Sequence, residues 1–388
     1  MTPVSTPAAP VMDTYRRWPV RFVSGRGATL VDGSGKEYLD LVAGIAVVST
    51  GHCHPVVTAA IQEQAAKLVH VSNLYENDPA VALAERLSGL TGGMQAFLCN
   101  SGAEAVEAAL KLARRHGGHR RTIVAADGGF HGRTMGALSV TGQPGKRAPF
   151  EPLVGDVVHV PFGDAAALAG ALGPHVAAVV LEPIQGEAGV VVPPDGYLPE
   201  VRRLCDETSA LLVLDEVQTG IARTGRWFAF EAAGITPDVL CLAKGLAAGL
   251  PIGACLARPD VAASFRPGDH GSTFGGGAVP AAAALAVLRV IEDEGLVERA
   301  RVAGELLAAS LEAAFPGGTI RGRGFLRAVA LPRPRARALA ALALQRGVLV
   351  NDVGPDVLRL TPPLVTTDAE IVRGVSILRE VWDEVRTT

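Results

Sequence analysis

Short apolar runs alternate with helix-patterned segments from about residue 56 to residue 260, and this alternation constrains the fold more than any other feature of the chain. The apolar runs are rich in Val, Leu and Ala, as is typical of strands that are buried on both faces. They lie at 96–99, 122–125, 157–160, 177–181, 211–214 and 239–243. Helix-patterned segments include 56–68, 80–90 and 103–115. The pattern predicts an α/β fold in which helices cover a mostly parallel sheet.

The character of the chain changes after about residue 278. Two long helical segments there are followed by short strand-like runs at 325–331 and 348–351 and by a helix that begins at Asp368. This arrangement predicts a smaller α+β domain, and 388 residues are enough for two domains. We therefore expect a large domain at 56–277, a small domain at 278–388 and an N-terminal segment, 1–55, that joins the small domain.

The bulk composition argues against several classes of partner. A formal net charge of −3 gives no basic excess for binding nucleic acid. No apolar stretch reaches the ~18 residues of a membrane span, and the five scattered cysteines are typical of reduced thiols in a cytoplasmic protein. Adjacent side chains diverge at His52-Cys53-His54, and further ligands are missing, so no metal is expected.

A small-residue turn follows the strand predicted at 96–99. The turn reads Asn100-Ser101-Gly102-Ala103-Glu104 and leads directly into a helix. Free N–H groups and the positive end of the helix dipole make such a turn a possible phosphate site. Taken alone, the motif is also common in turns that bind nothing.

Two other strand ends deliver charged residues, Asp215 and Lys244. An N-cap or a core ion pair would explain Asp215, and a snorkelling side chain would explain Lys244. The functional alternative is a carboxylate that pairs with a protonated pyridine nitrogen and a desolvated lysine that forms a Schiff base. Because ligands bind beyond the carboxyl ends of strands in open α/β sheets, one ring could lie between these two residues.

Further candidates lie in loops. Phe130 could stack on a flat ring, and Arg133 could bind a carboxylate with its two-pronged guanidinium group. Glu187 in the segment Glu182–Glu187, and Arg359 in the predicted small domain, are charged groups near strands. For each of these residues a solvated loop or a surface ion pair is the alternative, and His131 fits a structural hydrogen bond as well as a direct chemical role.

Together these motifs resemble the class III, fold type I aminotransferases, which depend on pyridoxal 5'-phosphate (PLP). The match runs in order through Asn100–Glu104, Phe130–Arg133, Glu182–Glu187, Leu214–Gly220, Ala243–Gly245 and Gly271–Phe274. Within the family, 130–136, 141–144, 251–254 and 44–47 are similar to the acetylornithine aminotransferase subgroup of arginine biosynthesis. Departures from that subgroup's pattern lie at Val48, Val106 and Gly277, where an Asn at the last position would cap the following helix.

The resemblance implies roles for individual residues. It implies that PLP is held by Ser101, Gly102, Ala103, Phe130, Asp215, Gln218, Lys244 and Thr273, the last from the partner subunit. Lys244 and Asp215 would be catalytic. Substrate would be bound by Arg133, Glu187, Arg359, Ser272, Ile45 and Tyr15.

The same resemblance implies a reaction and an assembly. The expected substrates are acetylornithine, whose carboxylate Arg133 would bind, and glutamate or 2-oxoglutarate, whose α-carboxylate Arg359 would bind. Glu187 would pair with Arg359 when the amino donor has no carboxylate there. A homodimer with shared active sites is expected. Related ω-aminotransferases acting on ornithine, succinylornithine, 4-aminobutyrate or an acyl-diamine remain alternatives, as does an aminomutase.

Overall fold

The computed structural model describes residues 11–386. Its strands are β1 (Phe22–Arg26), β2 (Thr29–Asp32), β3 (Glu37–Asp40), β4 (Gln95–Cys99), β5 (Thr122–Ala126), β6 (Val157–Val160), β7 (Val176–Leu181), β8 (Leu211–Asp215), β9 (Val239–Leu242), β10 (Gly253–Ala257), β11 (Thr319–Arg323), β12 (Leu326–Ala330), β13 (Val348–Leu349), β14 (Asn351–Asp352) and β15 (Val357–Leu360).

The helices are α1 (Ala43–Ala46), α2 (Pro55–Lys67), α3 (Asp78–Leu90), α4 (Gly102–Gly117), α5 (Met135–Ser139), α6 (Pro144–Arg147), α7 (Ala165–Ala171), α8 (Tyr197–Thr208), α9 (Pro259–Ala262), α10 (Ala278–Asp293), α11 (Leu296–Ala314), α12 (Ala336–Gln345) and α13 (Asp368–Val385). Three short 3₁₀ turns lie at Ala148–Phe150, Ala229–Ala233 and Lys244–Leu246. None of the helices described within 11–386 is long and apolar enough to cross a membrane.

A seven-stranded sheet in the order β4-β10-β9-β8-β7-β5-β6 forms the centre of the molecule. All strand pairs from β9 to β6 are parallel, whereas β10 is antiparallel to both of its neighbours. Every residue of β7, β8 and β9 is buried, which explains their continuous apolar sequences. The α/β fold predicted from the sequence is therefore confirmed, with one antiparallel strand added.

The sequence pattern did not predict β10. Its residues, Gly-Ala-Cys-Leu-Ala, include no β-branched or aromatic side chain, so the local preference for a strand is weak. The strand is nevertheless fully buried between β4 and β9. Its position is set by its neighbours in the sheet rather than by its own sequence.

The last third of the chain forms a second sheet in the order β11-β12-β15-β14, which is antiparallel throughout. Arg321–Arg323 form the end of β11. The run predicted at 348–351 is two strands, because β13 pairs with β3 whereas β14 pairs with β15. As the Gly277 departure suggests, this glycine is the N-cap of α10 and offers no side-chain cap.

A third sheet joins the two ends of the chain in the order β1-β2-β3-β13. The turn at Asp32–Gly35 connects β2 to β3, and Asp32 closes it by accepting hydrogen bonds from the N–H groups of Ser34 and Lys36. Helix α10 packs against α2 and α3. The division at 55 and 277 stays a prediction, and residues 1–10 of the first segment lie outside the described residues.

Candidate active site

A cavity of about 430 Å³ opens where β8 and β9 end and α4 begins. Because β8 and β9 are parallel, their carboxyl ends lie at the same edge of the sheet, which is where such folds bind ligands. The lining includes nine residues expected from the sequence. Eight of them are Ser101, Gly102, Ala103, Phe130, Arg133, Asp215, Gln218 and Lys244. Glu187 lines it as well.

The N-terminus of α4 supplies free hydrogen-bond donors to this cavity. Ser101 is the N-cap, and its hydroxyl accepts a hydrogen bond from the N–H of Glu104 at 3.2 Å. The N–H groups of Gly102 and Ala103 have no acceptor within residues 11–386. A Cβ at Gly102 would lie 2.8 Å from the methyl groups of Val217, so only glycine fits there. The turn therefore has room and unpaired N–H groups for an anion.

Asp215 ends β8 as a buried carboxylate with two partners. Its Oδ1 accepts the N–H of Val217 at 3.0 Å, and its Oδ2 lies 2.8 Å from Nδ1 of His131. Burial lowers the pKa of His131, but the hydrogen bond and charge of Asp215, with the charge of Glu182, outweigh it and raise that pKa overall. His131 thus keeps the Asp215 carboxylate oriented, which is the structural hydrogen-bonding role considered for it from the sequence.

Lys244 follows β9 in a backbone conformation that side chains rarely adopt, with φ of 41°. Such strain persists only where the surrounding structure imposes it, and it is concentrated at functional sites. The Lys244 ammonium has no hydrogen-bond or ion-pair partner within residues 11–386. Burial lowers its pKa, although the charge of Glu187 opposes the shift. The result is an amine that is easier to deprotonate than an ordinary lysine.

Glu182, which the sequence did not single out as a site residue, also lines the cavity. It follows β7 and is buried. Its two carboxylate oxygens accept the N–H groups of Phe130 and Gly186, each at 2.9 Å. Burial raises the pKa of Glu182 to about 7, with His131 opposing and Asp215 adding to the rise.

Arg359, on β15, is buried at the end of a hydrogen-bond network. Its Nη1 donates to Glu187 Oε1 at 2.5 Å, to Gln218 Oε1 at 3.0 Å and to the carbonyl of Gly186 at 3.1 Å. Its Nη2 donates to Asn351 Oδ1 at 2.6 Å, a partner that the sequence did not reveal. Burial acts to raise the pKa of Glu187, but Arg359 lowers it overall and keeps the pair charged. The Glu187–Arg359 pair expected from the resemblance is thus present in the structure.

Two cationic side chains lie near the ring of Phe130. The guanidinium of Arg133 and the ammonium of Lys146 each lie 5.7 Å from the ring centroid, close enough for a cation–π contact. Arg133 is exposed and makes no ion pair within residues 11–386. It is therefore free to bind a carboxylate at the mouth of the cavity.

Five predicted residues do not line the cavity within a single chain. One is Arg359, which is hydrogen-bonded to the lining residues Glu187 and Gln218. Tyr15 is 71% exposed, and Ile45, 37% exposed, lies in the distorted turn α1 with φ of 67°. Thr273 is exposed, whereas the hydroxyl of Ser272 accepts a hydrogen bond from the side chain of Asn100, which lines the cavity. The structure of one chain therefore assembles the expected cofactor residues except Thr273.

Comparison with known proteins bears on this arrangement directly. The family model described as "Aminotransferase class-III" matches residues 12–382. The chain belongs to the class III aminotransferases. The family depends on PLP, so membership makes the chain a transaminase of that type.

Individual proteins that are similar to this chain are aminotransferases as well. The chain is 53% identical to the acetylornithine aminotransferase of Mycobacterium tuberculosis over 97% of its own length and 94% of the relative's. Among solved structures, the ornithine aminotransferase of Toxoplasma gondii ME49 superposes with a TM-score of 0.93 at 35% identity, over 97% of this chain and 93% of that one. N-acetylornithine aminotransferase of Stenotrophomonas maltophilia K279a superposes with a TM-score of 0.84 at 36% identity, covering 96% and 98%. The predicted family and fold type are confirmed.

Proposed function

We propose that this chain uses PLP to transfer the side-chain amino group of N2-acetylornithine to 2-oxoglutarate, a step of arginine biosynthesis. The observation that carries the proposal is the unpaired amine of Lys244, in one cavity with the buried carboxylate of Asp215 and the free N–H groups of Gly102 and Ala103. The likeness to acetylornithine aminotransferases over nearly the whole chain supports the choice of substrate.

The cavity residues fit PLP at each of its polar ends. The N-terminus of α4 would hold the phosphate, Asp215 would pair with the ring nitrogen, and Lys244 would bind the aldehyde carbon covalently. Phe130 would cover one face of the ring, and Gln218 would contact the ring hydroxyl. When bound, this group supplies an electron sink for the bonds that break at the amino-bearing carbon of the substrate.

The residues of the chain supply the proton transfer and the electrostatics. With its lowered pKa, Lys244 can accept a proton at Nζ from the amino-bearing carbon of the substrate and would deliver it to the former aldehyde carbon of PLP. Asp215, oriented by its contact with His131, places its carboxylate at the buried end of the site. Arg133 at the mouth would bind the carboxylate of acetylornithine, and Ile45 and Tyr15 would contact its far end.

The pair of Glu187 and Arg359 would let one site accept two substrates. With acetylornithine, the pair stays closed as in the structure, so no free cation meets the amine. With glutamate or 2-oxoglutarate, Glu187 would leave and the α-carboxylate would take its place on Arg359. Asn351, Gln218 and the carbonyl of Gly186 would keep the guanidinium in position during this exchange.

We further propose a homodimer in which Thr273 and Ser272 reach the cofactor site of the partner. The exposed side chains of Leu74, Tyr75 and Phe274 support this proposal, because they lie in and beside the loop that carries Thr273. Large apolar side chains grouped on a surface are typical of an interface.

The cysteines described in the structure are all free thiols, which agrees with the cytoplasmic location expected from the sequence.

Substitution of Lys244 tests the proposed function. We expect Lys244→Ala to lose the visible absorption of the covalently held cofactor and to lose turnover, because no other cavity residue offers an amine. The matched control is Lys36→Ala, on the β2–β3 hairpin outside the cavity, which should retain both. Absorption and turnover that persist in Lys244→Ala would refute the cofactor assignment. A faster half-reaction with ornithine or 4-aminobutyrate than with acetylornithine would refute the substrate.

A further inference from the structure

Glu182 holds two separate segments of the active site with one side chain. Its Oε1 accepts the N–H of Phe130 and its Oε2 accepts the N–H of Gly186, both at 2.9 Å. The first segment carries the ring that lines the cavity, and the second leads directly to Glu187, the partner of Arg359. The two segments follow different strands, β5 and β7. A direct hydrogen bond between Phe130 and Gly186 is absent from the described residues.

We propose that Glu182 is a positioning residue whose carboxylate fixes the Phe130 segment and the Gly186–Glu187 segment relative to each other, and that the ionised form is required for full activity. The inference rests on the proposed function, since it assigns Glu182 a role in the same site. Glu182 has no proton to deliver in this role. It acts through Phe130 and through the position of Glu187.

The requirement for the ionised form follows from hydrogen-bond chemistry. An ionised carboxylate offers acceptor sites on both oxygens, so both N–H groups are satisfied. A neutral carboxyl group carries a hydroxyl on one oxygen, which turns one of the two contacts into a poorer bond. A glutamine places an NH₂ donor at the same position and cannot accept an N–H bond there. Glu182→Gln is therefore a close mimic of the protonated enzyme.

The surroundings of Glu182 place this change within reach of ordinary pH. The charged groups that act on it are His131 and Asp215, and it acts in turn on Lys244. Burial is the largest influence and raises the pKa of Glu182 to about 7; the charge of His131 works against the rise and that of Asp215 adds to it. Each of these groups lines or adjoins the same cavity.

The chain provides a matched control in Glu216. This glutamate is also buried, with a pKa raised by burial to about 7, and its oxygens also accept two backbone N–H groups, those of Ala229 and Phe230. It does not line the cavity. Glu216→Gln thus makes the same chemical change in a similar environment, but it does not affect the contacts that join the Phe130 segment to the Gly186–Glu187 segment.

The experiment compares kcat/KM for acetylornithine from pH 6 to pH 9 in holoenzyme of wild type, Glu182→Gln and Glu216→Gln. We expect wild type to lose activity as the pH falls through about 7, and we call this fall the acid limb of its pH profile. Glu182→Gln should be about tenfold or more below wild type at pH 8, the effect of one lost bond to a charged acceptor, and should lack the acid limb. Glu216→Gln should keep both the limb and most of the activity.

Hydrogen exchange gives a readout that does not depend on activity or on the cofactor. In Glu182→Gln, peptides that contain Phe130 and Gly186 should exchange faster, whereas in Glu216→Gln the peptide that contains Ala229 and Phe230 should do so. If Glu182→Gln fails to fold, wild type alone still tests the idea. After correction for intrinsic rates, both Glu182-bound segments should exchange faster at pH 6 than at pH 8.

Three results would overturn the proposal. They are an unchanged acid limb in Glu182→Gln, an identical loss of that limb in Glu216→Gln, and exchange of the two segments that is indifferent to Glu182 and to pH. A wild-type enzyme with no acetylornithine activity would refute the proposed function instead. In that case the exchange results would still decide whether Glu182 holds the two segments together.

Discussion

Replacing Glu187 by Gln should change the balance between the two half-reactions of the proposed cycle. In the structure, Glu187 Oε1 accepts a hydrogen bond from Arg359 Nη1 at 2.5 Å, and its side chain is 24% exposed. Gln has the same shape and can still accept that bond, but it carries no charge. The α-carboxylate of glutamate would then displace a neutral partner from Arg359 rather than an ionised one.

The magnitude follows from the kind of bond that is lost. A hydrogen bond to a charged group is worth about 1.5–3 kcal/mol. The bond between ionised Glu187 and the Arg359 guanidinium lies at the upper end of this range, and the bond from Arg359 to a neutral Gln lies at the lower end. Because Glu187 is partly exposed and Arg359 keeps its other three acceptors, we take slightly less than the span of this range, about 1.4 kcal/mol. That energy corresponds to a factor of about ten in an equilibrium or rate ratio.

Stopped-flow measurement of the separate half-reactions is the appropriate assay. The ratio of kcat/KM for glutamate to that for acetylornithine should rise about tenfold in Glu187→Gln. Two changes contribute in the same direction, since Arg359 opens more easily for glutamate and is less well neutralised beside the amine of acetylornithine. A ratio that stays constant or falls would show that Glu187 does not control access to Arg359. Glu216→Gln, at a residue that does not line the cavity, should leave the ratio unchanged.

Two further predictions concern the phosphate turn and pH-dependent stability. Gly102→Ala should weaken PLP binding at least tenfold in equilibrium titration, because its Cβ would lie 2.8 Å from Val217. The control Gly170→Ala, which has open space around it, should leave PLP binding unchanged. Equal PLP affinities of the two variants would argue against the turn as the phosphate site. Glu216 is buried and its pKa rises from 4.5 to about 7 on folding, so its stabilising contribution is lost as the pH rises towards and through 7. Between pH 5 and pH 8 this loss is about 2.5 kcal/mol of unfolding free energy. In urea unfolding, the stability of Glu216→Gln relative to wild type should therefore rise by that amount from pH 5 to pH 8. A stability difference between the two proteins that does not change with pH would contradict the prediction.

The sequence predicted those site residues that stand where a strand meets a turn. Asp215 and Lys244 come directly after buried apolar runs, and Ser101 precedes a clear amphipathic helix. In each case a local pattern of a few residues determines both the element and the position at its end. Because parallel strands end at one edge of the sheet, the prediction that these residues share a cavity could be made without coordinates.

Contacts between distant segments could not be predicted in this way. Asn351 reaches Arg359 because β14 and β15 pair with these two residues in register, and that register depends on the turn between them. Glu182 was visible as an acid after a strand, but its two N–H partners are set by the folding of two separate loops. Thr273, which we propose to act on the cofactor of a partner subunit, does not line the cavity of its own chain.

The pairing of β3 with β13 can form only late in synthesis, because the two strands lie far apart in the sequence. The N–H of Leu39 donates to the carbonyl of Gly347, and the N–H of Leu41 to that of Leu349, at 2.8 and 3.1 Å. On the ribosome, residues 37–40 emerge roughly 310 residues before their partner strand, so the N-terminal hairpin waits through most of translation with one edge open. Release of the nascent chain before residue 347 would leave that edge permanently unpaired, and a truncated product of this length would be prone to join other chains through it.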